Sequence, residues 1–184
     1  MRPARQFLLL AAAVSAATIF SNRLSAQIRA PAMPNVQLDP LSARLLASHN
    51  RERALVGAPP LRWDPMLAAS AAAYGPTLAA LGRLEHSPKA SRPGQSENLW
   101  MGIPRGRYSP EQMVGGWASE KAYFRPGVFP DVSSTGNWLD VSHYTQMIWR
   151  GTTSVGCALH TTRSYDFLIC RYSPKGNRDG QRVP

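Results

Sequence analysis

Two runs rich in β-branched and aromatic residues, 154–160 and 165–172, lie four residues apart, close enough that a hairpin is the natural way to join them. A tight turn at Arg163-Ser164 sets Thr162 opposite Tyr165, and counting back two by two places Cys157 opposite Cys170. With a two-residue loop that rung falls in the non-hydrogen-bonded class, where side chains approach most closely, which suits a disulfide. Arg-Ser is not a favoured pair for such a turn, but a longer even loop with the same centre keeps the register. A bridge closing so small a loop contributes about 3 kcal/mol on the chain-entropy view.

Pairing of these two cysteines presupposes an oxidising compartment, and the start of the chain supplies one. Arg2 and Arg5 precede an apolar run over 7–20, and Leu24-Ser25-Ala26 offers the small residues of a cleavage site. A signal peptide over 1–26, cleaved after Ala26, is expected, with the mature protein secreted or periplasmic. The apolar run is short for a bilayer span and no later segment is longer, so no transmembrane segment is expected. Beyond position 26 the chain has 18 basic and 11 acidic residues, a formal +7. No two basic residues are adjacent and none gather into a stripe, which argues against nucleic acid and leaves a general attraction to acidic polymers.

The length suits one domain. Residues 27–38, with Pro31 and Pro34, read as a disordered lead-in. Asp39-Pro40 and Asp64-Pro65 are cap and first-turn signals for two helices, the first ending near Val56 and the second expected to break or kink at Gly75-Pro76. A proline- and glycine-rich loop follows, with a short strand expected over 97–100. Ser109-Pro110-Glu111 opens a third helix whose Met113, Trp117 and Glu120 share a face. Residues 124–137 read as loop. A fourth helix is expected from Ser142, its N-cap, aligning His143, Gln146, Met147 and Arg150. Residues 178–184 read as a polar, frayed tail. Helices followed by strands, without βαβ alternation, make the class α+β.

Four histidines are present, none in an HExxH arrangement. His49 is expected to pair locally with Glu52, and His160 to sit exposed at the hairpin end. His86, a loop residue beside Ser87-Pro88, and His143, on a rigid helix, are the candidates for chemistry. Glu97 and Glu120 lie among aromatic and apolar neighbours, so they need partners if buried. Two imidazoles and two carboxylates in one cleft could form a divalent metal site or an acid/base pair. No GxSxG elbow exists. Trp100, Trp117, Trp138 and Trp149 are expected in the core.

Several motifs together resemble the CAP superfamily, the secreted group that includes cysteine-rich secretory proteins, venom antigen 5 and plant pathogenesis-related 1 proteins. His143-Tyr144-Thr145-Gln146-Met147-Ile148-Trp149 is similar to the family's first signature, and Leu168-Ile169-Cys170-Arg171-Tyr172-Ser173-Pro174-Lys175-Gly176-Asn177 to its second. His49-Asn50-Arg51 and Glu97-Asn98-Leu99-Trp100 resemble two shorter ones. The resemblance covers 41–177, within one domain expected over 39–177, and implies a three-layer α-β-α sandwich with a short, mainly antiparallel sheet. It also implies that His86, Glu97, Glu120 and His143 line a cleft where the histidines can hold a divalent ion such as zinc, and that His49 and Asn50 are structural. Ser96 stands where relatives usually have glycine, and 124–138 does not resemble the lipid-binding loops of some members.

The reading that follows is a secreted, monomeric, non-enzymatic binding module. Its cleft holds a divalent metal between His86 and His143, with Glu97 and Glu120 behind them, and its partner is an extracellular or envelope ligand, an acidic polymer or a lipid. A hydrolase is the alternative, with His143 as general base, Glu120 or Glu97 orienting it, and a serine or metal-bound water attacking. A lipid- or sterol-binding protein is the third.

Overall fold

In the computed structural model, residues 37–184 except Pro104 are described; the expected signal peptide and nearly all of the expected lead-in lie outside them. The hairpin forms the centre. Strands β4 (Ser154–Thr161) and β5 (Asp166–Ser173) pair antiparallel with Cys157 opposite Cys170, and the two sulfurs are bonded across a Cα–Cα distance of 4.1 Å. The Thr162 N–H donates to the Tyr165 carbonyl at 2.8 Å to close the turn. Strand β2 (Ser96–Gly102) runs antiparallel on the other side of β5, and β1 (Arg62–Trp63) adds to β4 in parallel, giving the order β1-β4-β5-β2.

β5 is central and covered on both faces, so its residues from Asp166 to Tyr172 are all buried. Alternation sends Leu168, Cys170 and Tyr172 to one face, where they pack with Leu45, Met113, Trp117 and Met147. Those partners come from α1 (Pro40–Leu55), α3 (Pro110–Ala118) and α4 (Ser142–Ile148). Phe167 and Ile169 point the other way and meet Ala71 and Leu78 of α2 (Pro65–Leu81). The result is an α-β-α sandwich of α+β class. Asp39 and Asp64 cap α1 and α2 through their carboxylates, and Ser109 with Gln112 forms a capping box on α3.

Several expectations are corrected. Helix α2 runs unbroken through Gly75-Pro76. Its apolar side is pinned to the sheet by the fully buried Ala71 and Leu78, and Gly75 is where His160 fits: a Cβ there would lie 2.6 Å from the imidazole Cγ. His160 is therefore half-buried against α2 rather than free at the hairpin end. The loop 124–137 contains β3 (Gly127–Val128), which pairs with β6 (Arg182–Val183). The tail is thus not frayed, and Val183 is fully buried beside Phe129, Ile148 and Trp149. Glu120 lies past the end of α3, on a 3-10 turn over Ser119–Ala122. Of the four tryptophans expected in the core, Trp117 and Trp149 are buried, Trp100 is half-buried, and Trp138 remains 38% exposed.

His49 does not pair with Glu52. Its Nδ1 donates to the Leu45 carbonyl at 2.8 Å and its Nε2 meets the Tyr172 hydroxyl at 2.8 Å, while Glu52 accepts from Lys121. Asn50 brackets Leu61 with both ends of its amide, at 3.1 and 2.7 Å, tying α1 to the segment entering β1. Both residues are structural, in line with the resemblance.

Candidate functional site

His143 opens α4, and its position is set by a carboxylate from another element. Ser142 does not cap the helix, since its hydroxyl turns back to the Leu139 carbonyl. Glu120 does so instead: its Oε2 accepts from the backbone N–H groups of His143 at 2.9 Å and Tyr144 at 3.0 Å. The same carboxylate's Oε1 accepts from His143 Nδ1 at 2.6 Å. One side chain therefore satisfies two orphan amides and fixes the ring's tautomer. The imidazole also stacks on the Trp117 indole, centroids 6.2 Å apart and planes 14° from parallel. Because α4 ends at Ile148, Arg150 lies beyond it and does not share the helical face with His143.

His86 is held the same way from the other side. Glu97 Oε1 accepts from its Nδ1 at 2.6 Å and from the Ser87 N–H at 3.0 Å, and Oε2 accepts from the Ser87 hydroxyl at 3.0 Å. The β2–β5 register places Arg171 beside Glu97, and its Nη2 pairs with Oε2 at 3.1 Å. Burial pushes the Glu97 carboxyl up, but the bond from His86, the Arg171 charge and the Ser87 amide outweigh it and leave the carboxyl below its usual range. The Arg171 guanidinium lies 5.8 Å from the Tyr74 ring centroid, and its Nε and Nη1 are buried without a hydrogen-bond partner among the described residues.

The sequence-expected residues converge. His86, Glu97 and His143 border one open cleft of about 300 Å3, with Asn98, Gln146 and Trp138, and Glu120 stands directly behind His143. The Glu97 side chain is fully buried, whereas the rings of His86 and His143 are 55% and 30% exposed. With each Nδ1–H given to a carboxylate, the Nε2 lone pair of each ring is the atom left for a ligand, the usual arrangement behind a metal-binding imidazole. By type the donors left are two imidazole nitrogens, a set a divalent ion accepts; no group of three or more His, Cys, Asp or Glu placed to hold a metal occurs among the described residues.

Ser87, Arg171 and Trp117 are the supporting groups that sequence reasoning missed. Arg171 stands inside the second signature, yet its link to Glu97 is visible only once the register of β2 on β5 is known.

Comparison with known proteins finds relatives of the chain. The profile of the Cysteine-rich secretory protein family, CAP, matches residues 46–172. The pathogenesis-related protein 1C of Nicotiana tabacum is 36% identical over 139 residues, covering 74% of this chain and 76% of its own length. The pathogenesis-related protein PRMS of Zea mays is 32% identical over 139 residues, covering 74% and 78%. Among solved structures, NaASP2 with Zn2+ superposes with a TM-score of 0.66 at 23% identity, covering 82% of this chain and 88% of that one.

Proposed function

The chain belongs to the cysteine-rich secretory protein (CAP) family, and from that premise we propose that it is a secreted, non-enzymatic binding module whose cleft takes a divalent metal, zinc foremost, at Nε2 of His86 and His143. The observation that carries this reading is the doubled carboxylate–imidazole pair, each at 2.6 Å, on the border of one cleft. Glu97 and Glu120 hold the orientation of the rings, so the cost of arranging the donors is met by the fold. Held by His86 and His143, a divalent ion would supply a Lewis-acidic anchor for an oxygen of the ligand.

The serine form of the hydrolase alternative has less support, and the metal-bound-water form would rest on the same two histidines. The two serines next to the rings are committed elsewhere, Ser87 Oγ to Glu97 at 3.0 Å and Ser142 Oγ to the Leu139 carbonyl at 3.0 Å. Lipid binding has less support still, because the cleft is open and Trp138 and Leu139 are the two apolar side chains among the residues lining it.

Calorimetric titration with zinc chloride near neutral pH tests the proposal. The protein as exported should bind about one equivalent, and the His86→Ala/His143→Ala variant, shown by circular dichroism to be folded, should lose that binding. Equal, weak binding by both would end the metal reading. Turnover of a peptide or ester panel that disappears in His143→Ala would replace the binding module with a hydrolase.

A further inference from the structure

Beside the two-histidine cleft, and sharing Lys89, Arg92, Ser96 and Asn177 with it, lies a second open cavity of about 520 Å3. That volume falls within the roughly 300–1,000 Å3 typical of ligand sites. Two stitched loops form its floor: the Lys175 N–H donates to the Gly94 carbonyl at 3.0 Å, and the Gly176 N–H to the Ser96 hydroxyl at 3.2 Å. Lys89, Arg92, Lys175 and Arg178 line it, against a single carboxylate from Asp179.

Among the described residues none of these four cations forms an ion pair, although Glu52, Glu85, Glu97 and Glu111 all do so elsewhere. Arg92 is fixed by bonds from Nε to the Ser87 carbonyl and hydroxyl and from Nη1 to the Gln95 carbonyl. No side-chain hydrogen bond holds Lys89, Lys175 or Arg178 among the described residues. Four like charges around one concave floor repel one another, and an anion entering it relieves that repulsion. Where the cavity runs into the cleft, the border turns apolar at Trp138 and Leu139, 38% and 57% exposed. The groove therefore offers cationic positions at one end and an aromatic face at the other.

We propose that this groove binds an acidic polysaccharide, with carboxylate or sulfate groups on Lys89, Lys175 and Arg178 and the apolar face of a sugar ring against Trp138. An anionic lipid would want an apolar enclosure for its chains, and a nucleic acid a longer basic track with several stacking rings. The site needs no metal in the neighbouring cleft, so its failure and that of the metal reading are separable.

Binding of dextran sulfate and of an oligogalacturonate to the purified protein tests it, with neutral dextran, phosphatidylglycerol vesicles and a DNA duplex alongside. Lys89→Ala/Lys175→Ala/Arg178→Ala should weaken binding of the two acidic glycans by roughly tenfold or more and flatten its salt dependence. Arg107→Ala/Arg125→Ala/Arg163→Ala removes the same charge from exposed positions outside the cavity and should change it little. Trp138→Ala should weaken binding without changing the salt dependence, and EDTA should leave binding intact. The proposal is overturned if the unmodified protein ignores both glycans, if the two triple variants lose affinity equally, if Trp138→Ala has no effect, or if vesicles or DNA are bound through the same cations in preference.

Discussion

His49 is fully buried with both ring nitrogens in use, Nδ1 on the Leu45 carbonyl and Nε2 accepting from the Tyr172 hydroxyl. Burial, opposed by the Leu45 bond and helped by the Arg53 charge, pushes its pKa down to about 4. In the unfolded chain the imidazole titrates near 6.5. Below that pH the unfolded state binds a proton that the folded state refuses, so stability falls as pH drops from about 6.5 to 4. The shift corresponds to about 3 kcal/mol at full extent. His49→Gln keeps the polar contacts in part and removes the titration. Urea denaturation at intervals from pH 7.5 to 4 should show a smaller loss of stability in the variant than in the parent; parallel curves would mean that His49 charges freely in the fold. The same residue marks where sequence reasoning stops. Glu52 stands one turn along the helix and is the obvious local partner, but helix neighbours compete with groups brought from 123 positions away, and Tyr172 wins. The four cleft groups stand out by residue type and neighbours, but their convergence was legible only through motif resemblance, because spacing alone cannot say which carboxylate meets which ring. Arg171 was hidden for the related reason that its role depends on strand register.

Helix α4 has only seven residues, too few to be stable alone. Its N-terminus is held by Glu120, which accepts two of its backbone amides and the His143 ring. A carboxylate there also favours the positive end of the helix dipole. Glu120→Ala leaves three part-buried donors short of their partner, so the loss should be about 2 kcal/mol. At α3 the cap Ser109 is local and its amide partner exposed, so Ser109→Ala should cost about 1 kcal/mol or less. Urea midpoints of the two variants decide the matter, and equal losses would show that solvent replaces Glu120 adequately. The contrast also explains which elements were readable. Asp39-Pro40, Asp64-Pro65 and Ser109-Pro110 carry their caps within a few residues, and all three helices begin where those signals put them. The hairpin was readable because its register follows from a short loop. The start of α4 was placed correctly but its cap was not, since Ser142 offered a local candidate while the group that caps it comes from 23 residues upstream. Gly75-Pro76 misled in the opposite sense: a local breaking signal is overridden where the helix on both sides is docked on a sheet.

Across the molecule, α4 lies between two separate apolar clusters. Met147 packs with the sheet-facing cluster, whereas Tyr144 and Ile148 join Phe129, Val132, Val141, Trp149 and Val183. The second cluster is closed by the end of the chain, because β6 pairs with β3 and inserts the fully buried Val183. The two-residue strand gave no periodic signal, which is why the tail read as polar and free; a strand this short is recognisable only from the partner that holds it. The segment carrying His143 is therefore supported from one side by the sheet core and from the other by residues near the C-terminus. Val183→Ala removes buried methyl groups from the second cluster and should destabilise the protein by about 1–3 kcal/mol. Its local signature separates this support from a general loss. Amide exchange should quicken in α4 and in β3, where Val183 packs and pairs, while protection in the disulfide-bridged β4–β5 hairpin changes only by the global amount. Unchanged exchange across α4 would mean that the loop and tail form a cover with no hold on the helix that presents the cleft histidine.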